Sequence, residues 1–167
     1  MCEHFADDAL ANFFGQQFLA STHYDIYPLV AAATPCGALC GISAQAFVEK
    51  RSRDQAPRHL AGVYSFVLAM VPTASVARRL PQLLHQVLDF GTSEVTFDEP
   101  GLVRATLSGI PEAIALWLGT VMSGYGEAAL RASGASRASF AVSAPQYVGM
   151  ARGVRMARCE IEISWGK

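Results

Sequence analysis

The hydrophobic pattern of the chain changes its period near residue 92. Before that point apolar residues recur every three or four positions, which predicts helices, and after it they alternate with polar residues, which predicts strands. The exception is the run from Ala113 to Tyr125, which carries no charged residue over more than three helical turns. Such a helix needs apolar cover on nearly all sides, so we expect it at the centre of the domain.

The first part of the chain is predicted to be helical. The pattern indicates helices over 8–19, 24–30 and 43–54, an amphipathic segment over 58–71, and a helix over 73–90. Pro57 is expected to interrupt the helical run, and Pro81 to kink the last helix. The segment 34–41 contains one proline and two glycines and predicts a loop. In the amphipathic segment, Tyr64 and Val67 fall on the apolar face.

The second part predicts a sheet. Alternation over 94–97 and 103–108 indicates a hairpin closed at 98–101, with further strands around Phe140 and over 157–165. Helices followed by strand, strand, helix, strand, strand predict an α+β fold with a four-stranded antiparallel sheet (β-β-α-β-β) and a buried central helix. No linker divides the chain, so we expect one domain over 1–167, with a helical half at 1–92 and the sheet half at 93–167.

The central helix has a small-residue face and a bulky face. Small residues let a helix approach a sheet or another helix closely, whereas large ones fill or line the space beyond. The small face consists of Ala115, Gly119, Ser123 and Gly126, and the bulky face of Ile114, Leu118, Val121 and Tyr125.

Composition limits the classes of function. Apolar residues make up 51% of the chain and charged residues 16%, below the roughly 25% that is usual, so an interface or a cavity should absorb the surplus. A net charge of -1 lacks the excess of basic residues that a nucleic-acid-binding protein needs. No run reaches the roughly 20 apolar residues of a membrane span. Four cysteines and an acidic start without a signal sequence lead us to expect a reduced, cytoplasmic protein.

No catalytic or metal-binding motif is complete. Ser108, Ser123 and Ser133 lack the context of a nucleophile elbow, and Cys36 and Cys40 have no second cysteine pair to complete a metal site. His23 and His59 are isolated, which indicates surface residues. We therefore expect no enzymatic activity and no metal.

The order of motifs nevertheless resembles a known superfamily. The run 24–29, the kinked helix with Arg79 to His85, the turn at 99–101, the strand 103–108 and the helix 114–130 resemble the haem nitric-oxide/oxygen binding (H-NOX) superfamily, over about residues 13–165. That superfamily includes vinyl-reductase-type ligand-binding domains and Golgi transport-particle subunits. The stretches 47–53 and 77–92 resemble a myxobacterial family of unknown function.

The resemblance implies a sensing or regulatory domain that signals through an apolar pocket, with an apolar small molecule or a regulatory protein as partner. We expect this pocket between the helical half and the central helix. Its lining is predicted to be Tyr64, Val67, Leu84, Trp117, Val121 and Tyr125.

Haem is the alternative ligand that the resemblance raises. His85, at the end of a Leu-x-x-Leu-His type run, takes the position of the iron ligand in H-NOX domains. The Tyr-x-Ser-x-Arg run that holds the propionates is replaced by Thr106, Ser108 and Ile110, so two carboxylates would lose their partners. His85 also lies opposite the apolar stripe of its helix. We therefore expect no haem and keep a haem gas sensor as an alternative.

The segment 144–155 is predicted to be a loop that serves as a pocket lid or a docking surface, with a plain surface loop as the alternative. It combines apolar and cationic side chains with glycine hinges, and Tyr147, Met150, Arg152 and Arg155 are its candidate residues. A second functional class is a protein-interaction or homodimerisation scaffold akin to the transport-particle subunits, which would use helix faces as its interface.

Overall fold

The computed structural model describes residues 7–19 and 22–166, and of Val63, Leu84 and His85 it describes only the backbone. The contacts divide the chain into two compact units, Met1–Lys50 and Arg51–Lys167. Among the residues that the structure describes, the first unit contains helices and no strand, and the second contains further helices and the sheet.

The first unit contains α1 (Asp8–Gly15), α2 (Tyr27–Leu39) and the start of α3 (Ala44–His59). The Asp7 carboxylate accepts a hydrogen bond from the Ala9 amide (2.8 Å) and caps α1. The Ser43 hydroxyl accepts one from the Ala46 amide (3.1 Å) and caps α3. Side-chain caps thus set the start of α1 and of α3.

The prediction of a loop at 34–41 is wrong, because α2 continues through Pro35 to Leu39. Proline lacks an N–H and costs the helix one hydrogen bond, but the remaining turns stay intact. Gly37 is buried, and a Cβ at this position would lie 2.9 Å from the carbonyl oxygen of Ile42. Gly37 therefore allows the chain at Ile42 to pack closely against the end of α2, and it does not end the helix.

The helices of the second unit have other bounds than predicted. The rest of α3 runs through Pro57 to His59, so the interruption predicted at Pro57 is wrong, because a proline removes one hydrogen bond without having to end the helix. Three shorter helices and a turn follow: α4 (Val63–Met70), α5 (Thr73–Arg79), a 3₁₀ turn (Leu80–Leu83) and α6 (Leu84–Val87). The continuous helix predicted over 73–90 is therefore wrong. Pro81 has no N–H to donate, and the chain tightens into the 3₁₀ turn at this residue.

The sheet comprises β1 (Thr92–Glu99), β2 (Leu102–Pro111), β3 (Arg137–Val142), β4 (Gln146–Ala151) and β5 (Val154–Gly166). All paired strands are antiparallel, in the order β1-β2-β5-β3, and β4 also pairs with β5. The α+β class with helices before an antiparallel sheet is confirmed, and the sheet has one strand more than predicted. The predicted loop at 144–155 is in fact a hairpin, turned by Arg152 and Gly153 at φ 50° and 80°.

The register of β2 and β5 builds the core. Val103 pairs with Ile163, and Leu107 pairs with Cys159, on the buried face. On the other face the Arg104 guanidinium donates to a Glu162 carboxylate oxygen (2.9 Å). Alternation along the two strands therefore separates an apolar face from a charged one.

The predicted central helix is α7 (Glu112–Ala132), which packs mainly on β3 and also on β2 and β5. Gly119 lies against Val142 (3.0 Å from the position of an added Cβ), and Gly126 lies against the ring of Phe140. The small face therefore meets the sheet. Among the described residues no single helix is long and apolar enough to cross a membrane, and only α2 and α3 together, as a bent pair, satisfy length and composition.

Candidate ligand-binding site

The bulky residues of α7 turn away from the sheet. Because successive helical residues are about 100° apart, Trp117 and Val121 lie nearly opposite Gly119, with Tyr125 beside them. All three side chains are half-buried. On the same side Gly124 meets α3, where a Cβ would lie 2.5 Å from the Ser52 hydroxyl oxygen. This side of α7 therefore faces other helices.

The helix α4 also packs against α7 but leaves most of its side chains in water. It carries no charged residue. The exposed fractions of its large side chains are 67% for Tyr64, 68% for Phe66, 51% for Val67 and 71% for Met70. We call these four residues the α4 face. Exposed apolar area of this kind marks binding surfaces more often than ordinary surface.

The predicted pocket residues thus fall into two groups. Tyr64 and Val67 belong to the exposed α4 face, whereas Trp117, Val121 and Tyr125 are half-buried on α7. The side chain of Leu84 lies outside the described residues. The packing of α4 on α7 brings the two groups to neighbouring helices.

The site also contains a histidine, His59, which the sequence did not place there. His59 Nδ1 lies 2.6 Å from the Tyr125 hydroxyl oxygen, within hydrogen-bonding distance, and their rings are 5.9 Å apart. The expectation of an isolated His59 is therefore wrong. The two residues are 66 positions apart, so no local pattern could have linked them.

The electrostatics of the site keep the Tyr125 phenol neutral. Burial raises the pKa of the Tyr125 phenol, and the positive charge of Arg51 opposes that shift only in part. The phenol therefore stays neutral near pH 7 and can both donate and accept a hydrogen bond. Together with the uncharged α4 face, it suits a neutral, largely apolar ligand.

No metal site is formed by the part of the chain that the structure describes: no three His, Cys, Asp or Glu side chains lie close enough together to hold an ion. Cys36, Cys40 and Cys159 are free thiols. Burial, and to a smaller extent the charge of Glu160, raises the pKa of the Cys159 thiol. Cys159 therefore remains protonated and acts as a small core residue.

The residues predicted as a lid or docking loop lie on the β4–β5 hairpin. Tyr147 and Met150 are exposed on β4, Arg152 is in the turn, and Arg155 is on β5. The Arg155 guanidinium is 4.2 Å above the Tyr147 ring and donates to the Glu112 carboxylate at the start of α7. The hydrogen bond from Arg155 lowers the pKa of Glu112. The hairpin is thus tied to α7.

We predict that Arg155→Ala returns the pKa of Glu112 toward its ordinary value, as measured by NMR titration of its carboxyl carbon. Because the folded pKa is lowered, the ion pair stabilises the protein above the unfolded pKa and stops doing so as pH falls through the folded pKa. The variant should lack this acid-dependent component. Arg158→Ala, which removes the partner of Glu160, should leave the pKa of Glu112 unchanged. Equal Glu112 titrations in wild type and Arg155→Ala would contradict the pairing.

The residues present do not fit haem. Ile110, where the resemblance places an arginine, is 1% exposed and packs over Gly91. The Thr106 hydroxyl, where a tyrosine is expected, donates to the Glu160 carboxylate (3.0 Å). A propionate at this strand would meet an apolar side chain and an acidic one, and the neighbouring Arg158 is already paired with Glu160. The side chain of His85 lies outside the described residues.

Comparison with known proteins identifies the fold. No protein-family model and no curated protein matches the chain. Among solved structures, the Fe(II) unliganded H-NOX protein from K. algicida matches with a TM-score of 0.57 and 10% identity, over 96% of this chain and 87% of the other.

Two further H-NOX structures give similar values. The I5F mutant of T. tengcongensis H-NOX has a TM-score of 0.59 and 9% identity, over 96% of this chain and 86% of the other. A structure that probes the function of haem distortion in the H-NOX family has a TM-score of 0.62 and 9% identity, over 96% and 84%. At such identities the likeness shows the fold alone: this chain has an H-NOX-like fold. The resemblance to the myxobacterial family stays a prediction.

Proposed function

We propose that this chain is a non-catalytic, small-molecule-sensing domain that binds an apolar ligand between α4 and α7. One observation carries the proposal: α4 is uncharged and packs on α7, yet its face of Tyr64, Phe66, Val67 and Met70 is exposed. Apolar surface left in water costs about 25 cal/mol per Å². A ligand that covers the α4 face and reaches Trp117 would remove this cost.

The two helices have different roles in the proposed mechanism. Gly119 and Gly126 hold α7 close to β3, so α7 forms a fixed wall. The helix α4 lies between Gly62, at φ 72°, and Pro72, and is only eight residues long. Ligand binding would shift α4 relative to α7, and this displacement is the signal passed to a regulatory partner.

The H-NOX-like fold supports a ligand-binding role by analogy only. Function resides in the site and not in the fold, so the identity of the ligand has to be argued from the residues of the site. The solved structures that this chain resembles include haem proteins by their descriptions. Here Thr106 and Ile110 remove the expected propionate partners. We therefore propose the same general architecture with a different, apolar occupant.

The proposal is tested with Nile red, a neutral apolar dye, and two matched variants. Val67 and Val148 are exposed to similar extents, 51% and 56%, but lie on α4 and on β4. Val67→Asp should weaken dye binding about tenfold or more, because it introduces a carboxylate into an apolar site. Val148→Asp should change the affinity by less than about twofold.

The NMR signal of the Trp117 indole N–H provides a second readout in the same titration. It should shift with dye in wild type and Val148→Asp, and much less in Val67→Asp. Unchanged dye affinity in Val67→Asp, or a Trp117 signal that does not respond to saturating dye, would contradict a ligand site between α4 and α7.

A further inference from the structure

A cleft of about 550 Å³ opens in the second unit where α4 ends. Its walls are the end of α4 and the start of α5, residues 133 and 134 after α7, and the end of β5. None of the predicted pocket residues lines it. Its volume is within the range of about 300–1,000 Å³ that is typical of small-molecule sites.

The side chains around the cleft exclude a charged ligand. Met70, Val71, Pro72 and Trp165 supply apolar surface, and no lining residue has an ionisable side chain. A charged molecule would lose hydration here without gaining a partner of opposite charge. The half-buried Trp165 ring and the adaptable Met70 thioether favour a flat aromatic molecule.

Two hydroxyl groups define the polar side of the cleft. The Thr73 hydroxyl donates to the Ser133 carbonyl oxygen (3.0 Å). The Ser133 hydroxyl has one proton, and both acceptors within its reach, the Leu130 carbonyl oxygen (2.8 Å) and Thr73 Oγ1 (3.2 Å), belong to the protein. The protons are thus used internally, and the hydroxyl oxygens keep lone pairs that can only accept.

We infer that this cleft is a binding site for a neutral, flat aromatic molecule with one hydrogen-bond donor, of the phenol or indole class. The apolar wall with Trp165 and Met70 covers the rings. The acceptor oxygens of Thr73 and Ser133 receive the donor. The inference does not depend on the sensing site between α4 and α7, because the two sites share only Met70.

The chain contains two tryptophans, and each reports on one site, Trp165 on the cleft and Trp117 on the α4–α7 site. The test follows both indole N–H signals by NMR, assigned with Trp117→Phe, while 2-naphthol is added. The Trp165 signal should shift saturably. 2-Methylnaphthalene, which lacks the donor, should bind about fivefold more weakly, and anionic 2-naphthoate should not bind.

Three variants complete the test. Thr73→Val should reduce the preference for 2-naphthol over 2-methylnaphthalene, because it removes one of the two acceptors. Ala69→Phe, at the edge of the cleft, should lower affinity at least tenfold. Ala113→Phe, at an exposed position on α7, is the matched control and should bind like wild type. Circular dichroism confirms that each variant is folded.

Several outcomes would overturn the inference. One is a Trp165 signal that does not respond to 2-naphthol, and another is tighter binding of 2-naphthoate than of 2-naphthol. The third is a folded Ala69→Phe variant that binds 2-naphthol as tightly as wild type does. A response of Trp117 alone would also overturn it while supporting the α4–α7 site. Failure of either site is therefore recognised separately.

Discussion

Replacing Gly126 by alanine is expected to lower the free energy of unfolding by about 1–3 kcal/mol, because it overpacks a closed interface. An added Cβ would collide with Cδ2, Cγ and Cε2 of Phe140, whose ring is 2% exposed on β3. A buried ring has no free space to move into. In an open helical position the same substitution stabilises a protein by up to about 1 kcal/mol, so the sign of the effect is diagnostic.

Urea denaturation measures this effect, provided that the slope of the free energy against denaturant is the same in both proteins. Gly15→Ala is the matched control, because Gly15 is also helical and an added Cβ there meets no atom within 4 Å. The control should be neutral or slightly stabilising. If Gly126→Ala were as stable as the control, the close packing of α7 on β3 would be wrong.

Much of the sheet half could be predicted from the sequence because its signals are local. Alternation over 157–165 indicated β5, and the small residues on one face of α7 indicated close packing on a sheet or another helix. Gly119 and Gly126 show that the neighbour is the sheet. Each of these patterns repeats over several residues. A repeated pattern tolerates one irregular position, such as the bulge between Leu107 and Ile110 in β2.

The errors came from glycine and proline, whose effects depend on the surrounding structure. Pro35 and Gly37 indicated a loop, but α2 contains both. The glycines of 144–155 indicated a hinged loop, but Gly153 and the preceding Arg152, both at positive φ, form the two-residue turn of the β4–β5 hairpin. The same residue types can end an element or lie within it, and only the tertiary contacts decide.

The sequence could predict which residues share a face in the candidate site, but not whether their side chains are exposed. Periodicity showed that Tyr64 and Val67 share a helical face, yet it does not show whether anything covers that face. The structure leaves both exposed. The contact between His59 and Tyr125 joins positions 66 residues apart, so it follows from the path of the chain and from no motif.

The second large effect expected is a failure to bind haem. The H-NOX-like fold alone would suggest the cofactor, but Ile110 is buried and Thr106 donates to Glu160. Two propionates at this strand would stay without cationic partners, at a cost of several kcal/mol per ion. Arg158, on the neighbouring strand β5, is already paired with Glu160 (2.6 Å). We therefore expect no stable complex.

The central claim is that this chain keeps an H-NOX-like fold for an apolar ligand other than haem. The most direct test is the absorption spectrum of the protein after reconstitution with haem and gel filtration, with the K. algicida H-NOX protein treated in parallel as the positive control. We predict no Soret band in the protein fraction. A sharp Soret band that survives gel filtration and is lost in His85→Ala would contradict the claim.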